Sequence, residues 1–172
     1  MKKSSGKWEL AGFVFTVVVG TLLHFLYEWT GENRAVGVFS AVNESVWEHL
    51  KLLFFPFLIF SIIQYFMTDK KYKGFFFTKA ISALLGMLFV VFAYYTYTRV
   101  IGEHYLIVDI LLFVVAVALS SYFSYKKMPS EKVSNLAGIL IFIIIAVMFG
   151  VFTFSPPEIP LFIDPTNNSA GI

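Results

Sequence analysis

The chain has 172 residues, of which 58% are hydrophobic, 19% are aromatic and only 14% are charged, and its mean hydropathy is +0.78. Because soluble domains carry about 25% charged residues and disordered chains need low hydrophobicity, this composition excludes both classes and indicates a membrane domain. The 13 basic and 11 acidic residues leave a net charge of +2, which is too small to indicate nucleic acid binding, and the absence of cysteine excludes disulfides and thiolate metal sites.

Five apolar stretches have the length that a membrane helix needs, which is roughly 20 residues. They predict an all-α, polytopic membrane helix bundle that forms a single domain over residues 1–172. The first stretch is too long for a signal peptide core and lacks a cleavage site of small residues, so we expect it to be retained. The second should begin near Glu44 and be kinked by Pro56. The predicted helices span about 8–27, 44–67, 75–97, 105–122 and 133–154, and 155–172 form an extracytoplasmic tail.

Small residues four positions apart predict where helices approach each other closely. Three pairs have this spacing: Ser82 with Gly86, Ala116 with Ser120, and Ala146 with Gly150.

The basic residues predict the orientation of the bundle. Ten of the 13 basic residues lie on the same side of the predicted bundle as the N-terminus, and only Arg34, Lys51 and Arg99 lie on the opposite side. The positive-inside rule therefore places the N-terminus in the cytoplasm and the C-terminus outside. Lys79 is expected to snorkel to the inner interface. The inner half would then hold no intramembrane charge, which argues against a stand-alone ion-coupled carrier. Ten of the 13 basic residues define the inner side: Lys2, Lys3, Lys7, Lys70, Lys71, Lys73, Lys79, Lys126, Lys127 and Lys132.

All three histidines fall on the predicted outer side, close to acidic residues. His24 and Glu28 are four apart and share a helix face, with His24 about one turn inside the membrane end. Glu44 and Glu48 are also four apart, and His49 follows directly.

Other polar residues surround these pairs. Asn43 is the predicted N-cap of the second helix, with Glu44 in its first turn. His104 lies in the short loop before the fourth helix, and Asp109 lies one turn inside that helix with Arg99 as a candidate partner.

Imidazole and carboxylate side chains together are a ligand set suited to zinc or another divalent metal. We predict that His24, Glu28, Glu48 and His49 converge on one site, because the first two end one helix and the others begin the next. Glu28 and Glu48 are the candidate catalytic carboxylates, since a spare carboxylate beside a metal could act as general base. The full set of candidate metal ligands is His24, Glu28, Glu48, His49 and His104, with Asn43, Glu44, Arg99 and Asp109 as further site residues.

The alternative is that these residues sit at the interface and meet headgroups and water. Capping then accounts for Asn43 and Glu44, and an ion pair with Lys51 or Arg99 satisfies Glu48. The sequence contains no HExxH zinc signature, no GxSxG nucleophile motif and no glycine-rich phosphate loop.

The tail over residues 154–165 carries prolines that forbid helix, together with apolar residues that are unusual in a free terminus. We expect it to fold back as a lid over the outer face, with only the residues from Thr166 onward free.

The segment Asn43-Glu44-Ser45-Val46-Trp47-Glu48-His49-Leu50-Lys51 and a tail containing Pro156-Pro157, Pro160-Leu161-Phe162 and Asp164-Pro165 give the chain a resemblance to a known family. It resembles a family of small bacterial integral membrane proteins of unknown function. The resemblance implies a multi-pass protein of the bacterial plasma membrane, in which the two segments belong together. It implies no activity, substrate or cofactor.

Two functions from different classes fit these observations. The first is a membrane protein whose outward-facing histidine and glutamate site binds a small ligand or a divalent metal such as zinc, with hydrolysis of a lipid-linked or extracytoplasmic substrate as an extension. The second is a non-enzymatic membrane subunit that binds substrate or a partner within a transporter. The lipid bilayer is the expected partner in both, and no nucleic acid is expected.

Overall fold

The computed structural model describes residues 6–68, 73–127 and 134–172. Within these ranges the chain is all-helical and has no β-strand, which confirms the predicted fold class. Five of the helices are long and apolar enough to cross a membrane. The short helix α2 lies in the first loop and was not predicted. The elements are α1 (Gly6–Trp29), α2 (Arg34–Gly37), α3 (Val46–Met67), α4 (Phe75–Ile101), α5 (Leu106–Lys127), α6 (Asn135–Phe154) and a 3-10 turn (Pro160–Phe162).

The start of α3 corrects the predicted cap. Ser45, not Asn43, is the N-cap, and its hydroxyl accepts a hydrogen bond from the Glu48 N–H at 3.4 Å. Glu44 therefore precedes the helix instead of lying in its first turn. Asn43 accepts a hydrogen bond from the Ser45 N–H at 3.0 Å, so it shapes the turn before the cap.

Helix α1 has the polarity expected of a helix surrounded by hydrocarbon. Its outward face carries large apolar side chains, such as Leu10 and Val18, which are 64% and 52% exposed. Its inward face carries Glu9, Gly12, Thr16 and Gly20, all of which are buried. Small and polar residues on the packed face, with apolar residues outside, are typical of membrane helices.

Helix α3 occupies the centre of the bundle and packs against α1 and α4. Aromatic rings form much of the core around it: Trp47 lies 4.8 Å from Phe149 of α6 and 4.8 Å from Phe162 of the tail, measured between ring centroids. The helix continues through Pro56, which is buried.

Two of the three predicted pairs of small residues, Ser82 with Gly86 and Ala116 with Ser120, lie at one close contact between helices. A Cβ added at Gly86 of α4 would lie 2.1 Å from the Ser120 hydroxyl and 2.9 Å from the Ala116 carbonyl oxygen of α5. The pair containing Gly150 does not mark one, because a Cβ there would have Val38 as its nearest neighbour at 3.9 Å.

The tail folds back over one end of the bundle, as expected. Phe162 is buried against Trp47 and Phe152. The expectation that the chain is free from Thr166 onward is wrong, because the Ile172 N–H donates to the Thr153 carbonyl at 3.0 Å and the Gly171 carbonyl accepts from Asn43 at 3.3 Å.

Lys79 is also placed differently from the expectation. It is 2% exposed and pairs with the buried carboxylate of Glu9 across α1 and α4, at 2.9 Å. Gln64 of α3 donates to the same carboxylate at 3.0 Å. Glu9 and Lys79 therefore form a charged pair inside the half of the bundle that was expected to hold no charge. That expectation is wrong, and it no longer argues against an ion-coupled carrier.

Candidate metal centre

The end of α1, the start of α3 and the loop between α4 and α5 meet at one end of the bundle, and the tail covers part of it. We call this the histidine end, because it contains His24, His49 and His104.

His24, Glu44 and His49 form a compact triad. Each offers one ligand atom, and these three atoms all lie within 4.8 Å of one another. The Nε2 atom of His24 is 3.8 Å from Oε1 of Glu44, and the Nε2 atom of His49 is 3.4 Å from Oε2. The two imidazole rings are 5.2 Å apart between centroids. We refer to these residues as the triad.

The turn before α3 orients two members of the triad. The Nδ1 atom of His49 is 2.9 Å from the Ser45 carbonyl oxygen, so an N–H at Nδ1 donates to this carbonyl and holds the ring with Nε2 facing Glu44. The backbone N–H of Glu44 donates to Oδ2 of Asp164 at 3.0 Å. Asp164 therefore holds the backbone that carries Glu44. The sequence indicated that the two segments belong together but did not indicate this contact, which joins residues 120 positions apart.

Two carboxyl groups outside the membrane-spanning helices have lowered pKa values. The contact with His49 lowers the pKa of Glu44, and this outweighs the opposing effect of burial. Burial acts to raise the pKa of Asp164, but hydrogen bonds from Thr166 and from the Glu44 N–H outweigh it and lower the pKa. Both groups are therefore carboxylates at neutral pH.

The triad lies at the polar end of a cavity of about 430 Å³ between α1, α3, α4 and α5. Apolar side chains such as Leu53, Val90 and Phe113 line the rest of its wall. Tyr94 also lines it. The spacing of Val90 and Tyr94 places them on one face of α4, but nothing in the sequence indicates that this face borders a cavity.

His104 and Asp109 line the same cavity as a separate pair. The Nδ1 atom of His104 is 3.2 Å from Oδ2 of Asp109, and Oδ1 of Asp109 accepts a hydrogen bond from the Tyr97 hydroxyl. Asp109 thus pairs with His104 and Tyr97 instead of the predicted Arg99, which is exposed.

Glu48 does not join the triad. Its carboxylate is 1% exposed and lies 2.5 Å from the ammonium of Lys51, which is fully buried. Thr153 of α6 accepts from Lys51 at 2.5 Å and donates to Glu48 at 3.2 Å. Glu48 therefore has the ion-pair partner named in the alternative interpretation, and it lies outside the group of three residues that offer ligand atoms.

Glu28 is exposed on the last turn of α1, and the group of acids and histidines that could hold a metal does not include it. Of the predicted site residues, the structure brings His24 and His49 together with Glu44, which had been assigned a capping or supporting position. The sequence feature that could have indicated Glu44 as a triad member is its spacing of five residues from His49. That spacing is informative only once the helix is known to start at Val46.

Five helices that are long and apolar enough to cross a membrane, four of which surround a cavity with a histidine and glutamate cluster, define a multi-pass helical membrane protein with a candidate metal centre. The whole chain, residues 1–172, matches a family of unknown function (DUF6512), and the protein belongs to that family. No curated protein and no solved structure matches the chain.

Proposed function

We propose that the protein binds a divalent transition metal, with zinc as the best fit, through His24, Glu44 and His49. The observation that carries the proposal is the convergence of three ligand atoms within 4.8 Å from α1, the turn before α3, and α3 itself. Two imidazoles and one carboxylate form a ligand set used by catalytic zinc sites.

The distances in the triad suit a tetrahedral ion. Ligands about 2.0–2.1 Å from zinc lie roughly 3.4 Å apart in tetrahedral geometry. The separation of 3.4 Å between His49 Nε2 and Glu44 Oε2 matches this value. The separation of 3.8 Å from His24 Nε2 is to the other carboxylate oxygen, Oε1, so binding one ion through a single oxygen requires a side-chain adjustment.

The surroundings of the ligands also support a metal. The contact from His49 Nδ1 to a backbone carbonyl is the kind of hydrogen bond that fixes a metal-binding imidazole. His24 lacks the equivalent contact, because its Nδ1 atom, on the far side of the ring from Glu44, is buried and has no hydrogen-bond partner among the described residues.

Three protein ligands leave a fourth position for water or substrate, as in catalytic zinc sites. A metal at the triad would acidify a bound water, and hydrolysis is therefore the reaction class we propose for an active form. Glu48 is a poor general base here because Lys51 holds its carboxylate. The transporter-subunit alternative stays a prediction.

The positive-inside rule supplies the proposed location. It places the histidine end outside the cytoplasm in a plasma membrane, where the triad would take up metal from the extracytoplasmic side.

Metal titration of the purified protein in detergent tests the proposal. After treatment with a chelator, the wild-type chain should bind one equivalent of zinc by calorimetry and elemental analysis. His24→Ala, Glu44→Gln and His49→Ala should each abolish stoichiometric binding, because each removes one of three ligands.

Matched controls lie nearby. Glu28→Gln, one turn from His24, and His104→Ala, on the same cavity, should retain one equivalent. Failure of the wild-type chain to bind zinc, or binding that survives all three triad substitutions, would refute the proposal.

A further inference from the structure

The cavity beside the triad combines one polar end with long apolar walls. Its carboxylate and imidazole groups belong to the triad and to the pair His104–Asp109, Thr21 and Tyr94 add hydroxyl groups, and the other lining residues are mostly apolar. From Leu106 to Phe113 of α5 the lining extends about 10 Å along the helix, at 1.5 Å per residue. A volume of about 430 Å³ lies within the range of about 300–1,000 Å³ found for small-molecule sites.

Exposed lining residues on α1 and α5 indicate a side entrance to the cavity between these two helices. The two helices meet at Gly20, where an added Cβ would lie 2.8 Å from the Phe113 ring. Beyond this contact, cavity-lining residues on both helices are exposed: Phe25 of α1 by 42%, Leu106 of α5 by 71% and Ile110 by 53%. All three belong to helices that are long and apolar enough to cross a membrane, so an entrance between them would open towards the bilayer.

We infer that this cavity binds the hydrocarbon chain of a membrane amphiphile, which enters between α1 and α5 and places an oxygen-bearing head group at the triad. The inference rests on the proposed metal site and names the substrate class of that site. Each CH₂ group moved from water to an apolar wall gains about 0.8 kcal/mol, but a chain that arrives from the bilayer gains little from burial alone. Recognition therefore depends on the head group, whose carboxylate or phosphate oxygen would take the open position of the metal.

The experiment uses a palmitic acid that carries a diazirine in its chain. The probe is added to the full chain, zinc-loaded or zinc-free, in phosphatidylcholine nanodiscs, and crosslinked positions are mapped by mass spectrometry. In the zinc-loaded protein, label should appear on the inner lining residues Leu53, Val90 and Phe113. An excess of unlabelled palmitate, if the head is a carboxylate, or of lysophosphatidylcholine, if it is a phosphate, should remove this label.

Variants at the entrance provide a matched comparison. Ile110→Trp places a bulky ring at the side entrance, while Leu111→Trp places the same ring at an adjacent position that is 57% exposed and does not line the cavity. Ile110→Trp should lower cavity labelling by about tenfold, and Leu111→Trp should leave it unchanged. His24→Ala and zinc removal should each weaken binding of the probe by about tenfold.

Label confined to lipid-facing residues such as Leu111, or cavity label that neither competitor removes, would overturn the inference. Cavity labelling that does not respond to zinc or to His24→Ala would overturn the head-group assignment. Zinc stoichiometry is measured on the same samples. Normal zinc binding without cavity label refutes only the amphiphile inference, whereas absent zinc binding refutes the proposed function.

Discussion

The ammonium group of Lys51 is fully buried, and its removal should be among the most destabilising changes in the chain. It lies 2.5 Å from Glu48 Oε2 and donates to the carbonyl oxygens of Gly37 at 2.8 Å and Ser40 at 3.3 Å. In Lys51→Met these acceptors lose their donor, and among the described residues the Glu48 carboxylate keeps hydrogen bonds from the Val42 N–H and the Thr153 hydroxyl alone.

The expected loss follows from burial of an uncompensated charge. Removing one partner of a buried ion pair costs about 3–5 kcal/mol, whereas an exposed pair contributes at most about 1 kcal/mol. Glu48→Leu should cost a similar amount. The double variant Glu48→Leu/Lys51→Met removes both charges, so its loss should be smaller than the sum of the single losses by about 2 kcal/mol or more.

Reversible unfolding in mixtures of SDS and mild detergent, followed by tryptophan fluorescence, measures these free energies. Lys73→Met is the control, because Lys73 is exposed and its replacement should change the free energy of unfolding by less than about 0.5 kcal/mol. A loss below about 1 kcal/mol for Lys51→Met, or additive losses in the double variant, would show that the pair is not buried as described.

Gly138→Ala should destabilise the bundle by about 1–3 kcal/mol, because the added methyl would lie 2.1 Å from the Phe76 backbone, while Gly150→Ala, with its nearest neighbour at 3.9 Å, should be tolerated in the same unfolding assay. Zinc should leave the triad as the pH falls from 7 to about 5.5, because two imidazoles, with an ordinary pKa of about 6.5, must be neutral to bind it. The pKa of Glu44 is lowered, so its carboxylate stays fully charged above its ordinary pKa and is protonated only at more acidic pH. If a pH titration showed zinc bound until Glu44 itself is protonated, loss of the imidazole ligands would not be the first step. Single cysteines at Asn33 and Asn168 should react with an impermeant thiol reagent in intact cells and one at Lys73 should not; the reverse pattern would invert the orientation.

The number and approximate positions of the long helices could be predicted because hydrocarbon requires long apolar segments and leaves few alternatives. Helices α4 and α5 extend past their predicted ends, to Ile101 and Lys127, because a helix can continue beyond its long apolar segment into mixed polar and apolar residues. The predicted cytoplasmic positions Lys2, Lys3, Lys70, Lys71 and Lys132 lie outside the described residues.

The side-chain pairing could not be predicted to the same degree. Glu44 and Glu48 are four residues apart, and their spacing indicates a shared helix face. The start of α3 at Val46 separates them, so that Glu44 reaches His49 and Glu48 reaches Lys51. Sequence spacing defines a face only after the helix start is known, and here a difference of two residues decides which acid belongs to the triad.

Pairs of residues that are far apart in the sequence were the least predictable. Glu9 and Lys79 are 70 positions apart, and Asp164 and Glu44 are 120 apart. Taken one at a time, these residues fit simpler roles, as charges at the membrane interface or as a polar residue of the tail. Their pairing depends on the lateral order of the helices, which apolar periodicity does not encode.

The hydrogen bond from Glu44 to Asp164 has a consequence for how the protein is made. Glu44 leaves the ribosome about 120 residues before the carboxylate that fixes its backbone, so the triad reaches its final geometry only after α6 has been inserted and the tail has packed over the histidine end. Metal loading would then be a late event in biogenesis, after insertion of the last helix. An affinity tag fused after Ile172, whose N–H is bonded to Thr153, would sit beside this closing contact, and a tag at the other terminus is the safer choice for expression.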